Sequence, residues 1–144
     1  MLEAQVADAV AKGAQVVCGG TRIDRPGSWF APTVLVDVDP SMSLMRDESF
    51  GPVIGVQRVR DDAEALACLD DTEFGLGAAV FSGDRGRAER ILSRLEVGNA
   101  YWNASDRSSV RLPWSGRRHS GLGVSMSESG VRAFVREKAW HLFG

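Results

Sequence analysis

The string Glu48-Ser49-Phe50-Gly51-Pro52 is the part of this sequence best suited to chemistry. The residue before a proline avoids the helical region, so Gly51-Pro52 holds the backbone in an extended or turning path. On such a path Glu48 and Phe50, two residues apart, can face the same side. An ionised carboxylate accepts two hydrogen bonds and suits a vicinal diol such as ribose. An aromatic ring beside it suits a flat heterocycle. The alternative is a solvated glutamate next to a core phenylalanine in a loop.

Other reactive residue types carry weaker signals. His119-Ser120 are adjacent, whereas a serine nucleophile needs its base set opposite by the fold, and no G-x-S-x-G surrounds it. His119 and His141 have no third ligand at metal spacing, so no metal site is expected. Gly121-x-Gly123 lacks a third glycine at dinucleotide-binding spacing, and no strand precedes it. Arg107, Arg111, Arg117 and Arg118 can meet an anionic substrate or simply line a solvated loop. Cys18 follows Val16-Val17 and reads as a buried strand residue rather than a nucleophile. Cys68, on a helix with Ala65, Leu66 and Leu69, reads the same way. No catalytic residue is assigned.

Hydrophobic periodicity predicts the elements that must position these groups. Leu2, Val6 and Val10 recur every four residues before Gly13, giving a helix over 2–12 with a glycine stop. A short strand over 14–18 ends at Gly19-Gly20. Residues 29–38 read as extended, with Val34, Val36 and Val38 on one face, and Pro32 marks an edge position or a late start. Residues 40–52 have no sustained period. A strand over 53–59 precedes a helix capped by Asp61 or Asp62 and running through Leu69, with Ala63, Leu66 and Ala67 inward. A buried strand over 77–82 leads to a helix capped by Asp84, whose stripe is Ala88, Ile91, Leu92 and Leu95 and whose stop is Gly98. A strand over 99–103 follows. Ser125 and Glu128 have capping-box spacing before a short helix through Phe134. Residues 137–143 read as a terminal strand with Trp140 and Leu142 on one face.

Strands alternating with helices point to an α/β sheet. Two features are odd for a small domain: about twenty residues over 104–123 lack a clear element, and the last strand has no helix behind it. Composition sets the outer limits. The 144 residues, 44% hydrophobic and 25% charged, can bury a real core, which excludes disorder as the main state. No apolar run reaches the ~18 to 20 residues of a membrane span, and no signal peptide is expected. Cys18 and Cys68 are too few for a disulfide scaffold, so a reducing cytoplasm is the default. The net charge of −2 is unevenly spread, with −7 on residues 1–83 and +5 on 84–144. Fifteen of the 17 cations are arginine, without one dense cluster among aromatic platforms. That favours complementary surfaces over a nucleic-acid groove.

These residues carry a resemblance. Asp47-Glu48-Ser49-Phe50-Gly51-Pro52-Val53 resembles the Glu-Glu-x-Phe-Gly-Pro-Val motif of the NAD(P)-dependent aldehyde dehydrogenase superfamily. Asp71-Thr72-Glu73-Phe74-Gly75-Leu76 with Ala78-Ala79-Val80-Phe81 resembles its Asn-x-Thr-x-Tyr-Gly-Leu-x-Ala-x-Val-Phe segment. Asp84 with Arg87-Ala88, then Gly98 with Asn103, fit the helix and strand that follow. Leu112-Pro113-Trp114-Ser115-Gly116 and Ser120-Gly121-Leu122-Gly123 resemble its Pro-Phe-Gly-Gly and Ser-Gly-x-Gly loop. Gly130, Phe134 and Lys138 fit its closing helix and tail. Gly13, Cys18-Gly19-Gly20, Phe30 and Pro32-Thr33 fit the stretch before the first motif. Each match is short; in order, they cover essentially the whole chain.

The resemblance implies an α/β fold: part of the family's catalytic-domain sheet flanked by helices over 1–136, with an oligomerisation strand over 137–144. It implies that Glu48 holds the nicotinamide ribose of NAD or NADP and that Phe50 lies against the nicotinamide. Asn103 and Trp114, with the loop over 113–123, would line or support the substrate tunnel. Residues 137–143 would add to a neighbouring subunit's sheet as an edge strand. An aldehyde substrate and same-family subunits are the implied partners, with neither nucleic acid nor membrane. The family's reaction also needs a cysteine thiolate and a glutamate-activated water, and both of those residues lie upstream of the Glu-x-Phe-Gly-Pro motif. Only 47 residues precede Glu48 here, so the chain is expected to be a C-terminal segment without the nucleophile. The alternative is a truncated remnant or interaction module that only pairs with other subunits. Trp114-Ser115 replaces the family's Phe-Gly, Val124-Ser125 its frequent Arg-Glu, and Asp70 its frequent Asn, which leaves tunnel shape and substrate open. Trp29, Trp102, Trp114 and Trp140 are expected to enlarge apolar contacts at the tunnel or a subunit interface.

Overall fold

Ten residues after Met1 wind into α1 (Leu2–Ala11), which buries Gln5, Val6 and Ala9. A computed structural model describes residues 1–105 and 107–144, and these form two units, Met1–Asp71 and Thr72–Gly144.

In the first unit a three-stranded sheet has the order β1-β2-β3. Strand β1 (Gln15–Cys18) pairs antiparallel with β2 (Thr33–Val36), with an irregularity between Val16 and Cys18. Strand β3 (Val53–Val56) pairs parallel with β2, Thr33 opposite Val53 and Val36 opposite Val56. Pro32 therefore marks a late start. Proline has no N–H to give a central ladder, and the first donor is Thr33 N–H, to the Pro52 carbonyl at 2.8 Å. The buried face of β2 is Thr33 and Leu35, while Val34 and Val36 are only half-buried. This corrects the expected Val34, Val36, Val38 face. Asp37 takes a left-handed φ of 55°, which breaks the strand alternation and turns Val38 into the core. The core joins Val6, Ala9, Ala14, Leu35, Val38, Met42 and Leu44. The last two come from residues 40–52, where a short helix, α2 (Ser43–Arg46), packs on α1.

Helix α3 (Asp62–Asp70) starts as expected, with the Asp61 carboxylate accepting from Glu64 N–H at 2.9 Å. Its apolar stripe does not go inward: Ala63 and Ala67 are exposed and Leu66 is half-buried. Cys18 is also exposed rather than buried, because β1 is an outer strand with every residue open to solvent. Cys68 is half-buried, its sulfur 3.4 Å from the Gln57 amide nitrogen.

The second unit is a β-α-β turn of chain. Strand β4 (Gly77–Val80) and strand β5 (Asn99–Trp102) pair in parallel, joined through α4 (Arg85–Leu92). Asp84 caps α4 by accepting from Arg87 N–H at 3.0 Å. Ala88, Ile91 and Leu95 are buried on the expected stripe, although the helix itself stops at Leu92, ahead of Gly98. β4 is half-buried rather than buried, since a two-stranded sheet leaves much of its surface uncovered. Helix α5 (Ser127–Arg132) begins without the expected capping box. Ser125 instead exchanges both backbone hydrogen bonds with Trp114, at 2.8 and 2.9 Å, and Glu128 pairs with Arg132 at 2.6 Å. Residues 137–143 form no strand: a ladder needs a neighbour's N–H and C=O groups, and none pairs with them among the described residues.

Four carboxylates of the first unit are held below their ordinary range. Lys12 and the Ser43 N–H lower Asp8. The Ser41 hydroxyl and N–H lower Asp39, the Arg60 N–H and guanidinium lower Glu64, and the Arg46 guanidinium lowers Asp71. A depressed folded-state pKa stabilises above the ordinary value of about 4 and loses that contribution as pH falls through the lowered value. The first unit is expected to lose thermal stability only below about pH 4. Circular dichroism melts at stepped pH check this, with Asp71→Asn reducing the acid dependence; a flat profile from pH 5 to 2 would contradict it.

Candidate functional site

The segment carrying Glu48 is anchored on both sides. At one end Arg46 forms a double hydrogen bond with the Asp71 carboxylate at 2.8 and 2.7 Å and donates to the Pro40 carbonyl at 2.7 Å. At the other end Gly51 lies so close to Leu2 that an added Cβ would sit 2.5 Å from the Leu2 side chain. Between these anchors Phe50 adopts a φ of 44°, a region that a bulky side chain enters only under constraint. The result is an aromatic ring 90% exposed to solvent. Ser49 and Phe50 help line a cavity of about 410 Å³ with Leu2, Arg22, Trp29 and Phe30. Glu48 is exposed two residues away and is not part of that wall. Trp29 is fixed there by Arg25, whose guanidinium stacks 3.2 Å from the ring centre, and by an indole N–H bond to the Pro26 carbonyl. Trp29 and Phe30 lie about twenty residues upstream of Phe50 in sequence, and no local pattern announced that they share a wall with it.

In the second unit Asn103 has a φ of 50° and its side-chain amide bonds through both its oxygen and its nitrogen. It accepts from Ser82 N–H at 2.8 Å and donates to the Ser82 carbonyl at 3.0 Å, clasping the ends of β4 and β5. Asn103 belongs to the wall of neither cavity described next. Trp114 belongs to both. One, of about 210 Å³, has Tyr101, Arg107, Ser108, Ser109 and Leu112 in its wall; the other, of about 430 Å³, is bounded by Leu76 and residues 115–116 and 120–125. Much of the stretch over 107–125 thus forms cavity wall. It is tied down where Arg117 N–H meets the Gly75 carbonyl, His119 N–H the Glu73 carbonyl and Gly75 N–H the Ser120 hydroxyl. The Tyr101 hydroxyl is buried with no hydrogen-bond partner among the described residues. Sequence reasoning raised Arg107 and missed Tyr101, whose inward ring only the β5 pairing fixes.

Among the described residues no other constellation competes. His119 Nδ1 approaches Glu73 at 3.5 Å, but both side chains are more than two-thirds exposed. Among the described residues no three His, Cys, Asp or Glu side chains are grouped to hold a metal ion, and no helix is long and apolar enough to cross a membrane.

Comparison with known proteins bears on the family and the fold. Residues 1–140 match the model of the aldehyde dehydrogenase family. The chain is 45% identical over 142 residues to a succinate-semialdehyde dehydrogenase (NADP+) of Deinococcus radiodurans, covering 99% of this chain and 30% of that protein. Its structure superimposes with a TM-score of 0.86 on a betaine aldehyde dehydrogenase from Staphylococcus aureus in complex with NAD+, at 34% identity, covering 92% of this chain and 27% of the other. An NADP-dependent enzyme of E. coli gives a TM-score of 0.88 at 39% identity, covering 92% of this chain and 28% of the other. The chain therefore spans about three tenths of the length of these relatives. Its sheets and helices are those of the same α/β fold, and the chain belongs to the aldehyde dehydrogenase family.

Proposed function

We propose that this chain is a C-terminal portion of an NAD(P)-dependent aldehyde dehydrogenase that oxidises an aldehyde to a carboxylate in the cytoplasm. The observation that carries the reading is Phe50: an almost fully exposed ring held by strained backbone between two fixed points. Burial would ordinarily claim such a ring, and an exposed one fits a flat heterocycle laid against it. Glu48, exposed beside it, has both carboxylate oxygens available to a ribose diol. These two residues fit NAD or NADP, whose bound nicotinamide would take up the hydride. Trp114 would wall the substrate tunnel, and Asn103, which clasps Ser82 across the ends of β4 and β5, would hold the strand that leads to it.

In the longer enzyme that carries the nucleophile, Phe50→Ala is expected to leave the melting temperature unchanged and to raise the cofactor KM about tenfold, the scale of one lost aromatic contact of ~1.5 kcal/mol. Glu48→Gln should likewise change cofactor handling and not folding. Unaltered cofactor kinetics in both variants would sink the assignment. Two of the relatives quoted above are named for aldehydes of opposite charge, so relatedness leaves the substrate undefined.

The nucleophile is assigned to sequence outside these 144 residues, so the purified chain alone is expected to give no steady reduction of NAD or NADP by any aldehyde. Sustained turnover would overturn that part of the reading. A second reading, an interaction module, draws on Phe134, Trp140, Leu142 and Phe143, which are 92%, 69%, 81% and 95% exposed. In the dehydrogenase, residues 137–143 are instead the arm that pairs with another subunit. The intact mass of the source protein separates the two. A mass equal to this chain favours the module, and a longer chain carrying a cysteine upstream favours the enzyme.

A further inference from the structure

We infer that Arg46 is a positioning residue, whose guanidinium holds residues 47–50 so that Glu48 and Phe50 are set for the dinucleotide before it binds. The inference rests on the proposed dehydrogenase function and adds a residue that acts through Glu48 and Phe50 without touching the ligand. Residues 48–50 form no hydrogen bond with any described residue. Their place is therefore set by what flanks them. Downstream, Gly51 is wedged against Leu2, and the Pro52 carbonyl accepts from Thr33 N–H at 2.8 Å. Upstream, the Arg46 Nε donates to the Pro40 carbonyl at 2.7 Å. One terminal nitrogen donates to the Asp71 carboxylate at 2.8 Å and carbonyl at 3.1 Å, and the other to the carboxylate at 2.7 Å. One planar fork thus joins points six residues before it and twenty-five after it. The side chains of the pair are 44% and 52% exposed, where an ion pair adds little to global stability. What the pair fixes is geometry. The left-handed φ of Phe50 persists only where the surrounding structure over-determines it. Without the upstream anchor the backbone can relax, fewer molecules present Glu48 and Phe50 together, and apparent cofactor affinity falls by that fraction.

The test compares Arg46→Gln, Arg46→Lys and Asp71→Asn with a control, Arg60→Gln, which opens the Arg60–Glu64 pair elsewhere in the first unit. In the longer enzyme that carries the nucleophile, Arg46→Gln is expected to raise cofactor KM about fivefold and to keep kcat within about twofold, because saturating cofactor draws the segment back into place. Asp71→Asn should match it, and the double variant should be no worse than either, since both break one contact. Arg46→Lys should fall between, because an ammonium is a point charge without the planar fork. In a Glu48→Gln, Phe50→Ala background Arg46→Gln should cost nothing further. Arg60→Gln should change nothing, and all four single variants should melt close to the parent. A second readout needs no turnover. With para-fluorophenylalanine at position 50 of this chain, the fluorine NMR resonance is expected to shift or split in Arg46→Gln and to stay put in Arg60→Gln. A loss confined to kcat, an equal cost of Arg46→Gln with and without Glu48 and Phe50, or an unmoved resonance would each overturn the inference. Impaired cofactor kinetics in Phe50→Ala but not in Arg46→Gln refutes the positioning and leaves the dehydrogenase standing. Unaltered cofactor kinetics in every variant, with the resonance still moved by Arg46→Gln, removes the cofactor role of Glu48 and Phe50 and keeps Arg46 as the anchor of their segment.

Discussion

Gly98→Ala is expected to unfold or nearly unfold the second unit, at a cost of about 4 kcal/mol or more. A Cβ at Gly98 would lie 1.7 Å from the Ser115 carbonyl oxygen and 2.6 Å from its carbon. Both are backbone atoms, so no rotamer change relieves the clash. Neither side can retreat. Gly98 N–H donates to the Gly75 carbonyl at 3.0 Å, and the Asn99 amide holds the Leu76 and Ser115 carbonyls at 2.9 and 3.1 Å. The contact fixes the start of β5 against the loop that carries Trp114, so the same substitution should distort both cavities of this unit. Urea denaturation of the parent and variant measures the effect; a midpoint within error of the parent would refute it.

The second large effect is expected at Leu35. Its side chain is fully buried on the central strand of the first unit, packed in the cluster with Val6, Ala9, Val38, Met42 and Leu44. Leu35→Ala removes that volume where the sheet on both sides limits collapse, so the loss should fall in the upper half of the ~2–5 kcal/mol range. Ile54→Ala, on β3 but 58% exposed, is the control and should cost under about 1 kcal/mol. Comparable losses at the two positions would mean that the core lies elsewhere.

What the sequence disclosed was mostly local. Asp61 and Asp84 cap helices through contacts three residues away, and Pro32 delays a strand because it lacks one hydrogen. Those relations are written within a few positions of each other. Where partners come from afar, the reading failed. Ser125 is spent on Trp114, so the box with Glu128 does not form. Cys18 is exposed because β1 is an outer strand, and sheet order is not a local property. Asp37 reverses a face by a single backbone torsion that no alternation pattern encodes. The site followed the same rule. Phe50 and Trp114 were legible as motif positions, but the walls they share with Trp29 and Arg107 depend on folding.

The division at Asp71 bears on how the protein is made. The first unit holds its own sheet and its own buried cluster, and every residue of both precedes Thr72. A ribosome adding about 5–20 residues per second needs roughly 4 to 15 seconds to add residues 72–144. Small domains close far faster than that. Leu35 and its neighbours take nothing from residues 72–144, so their cluster is able to close before the second unit is complete.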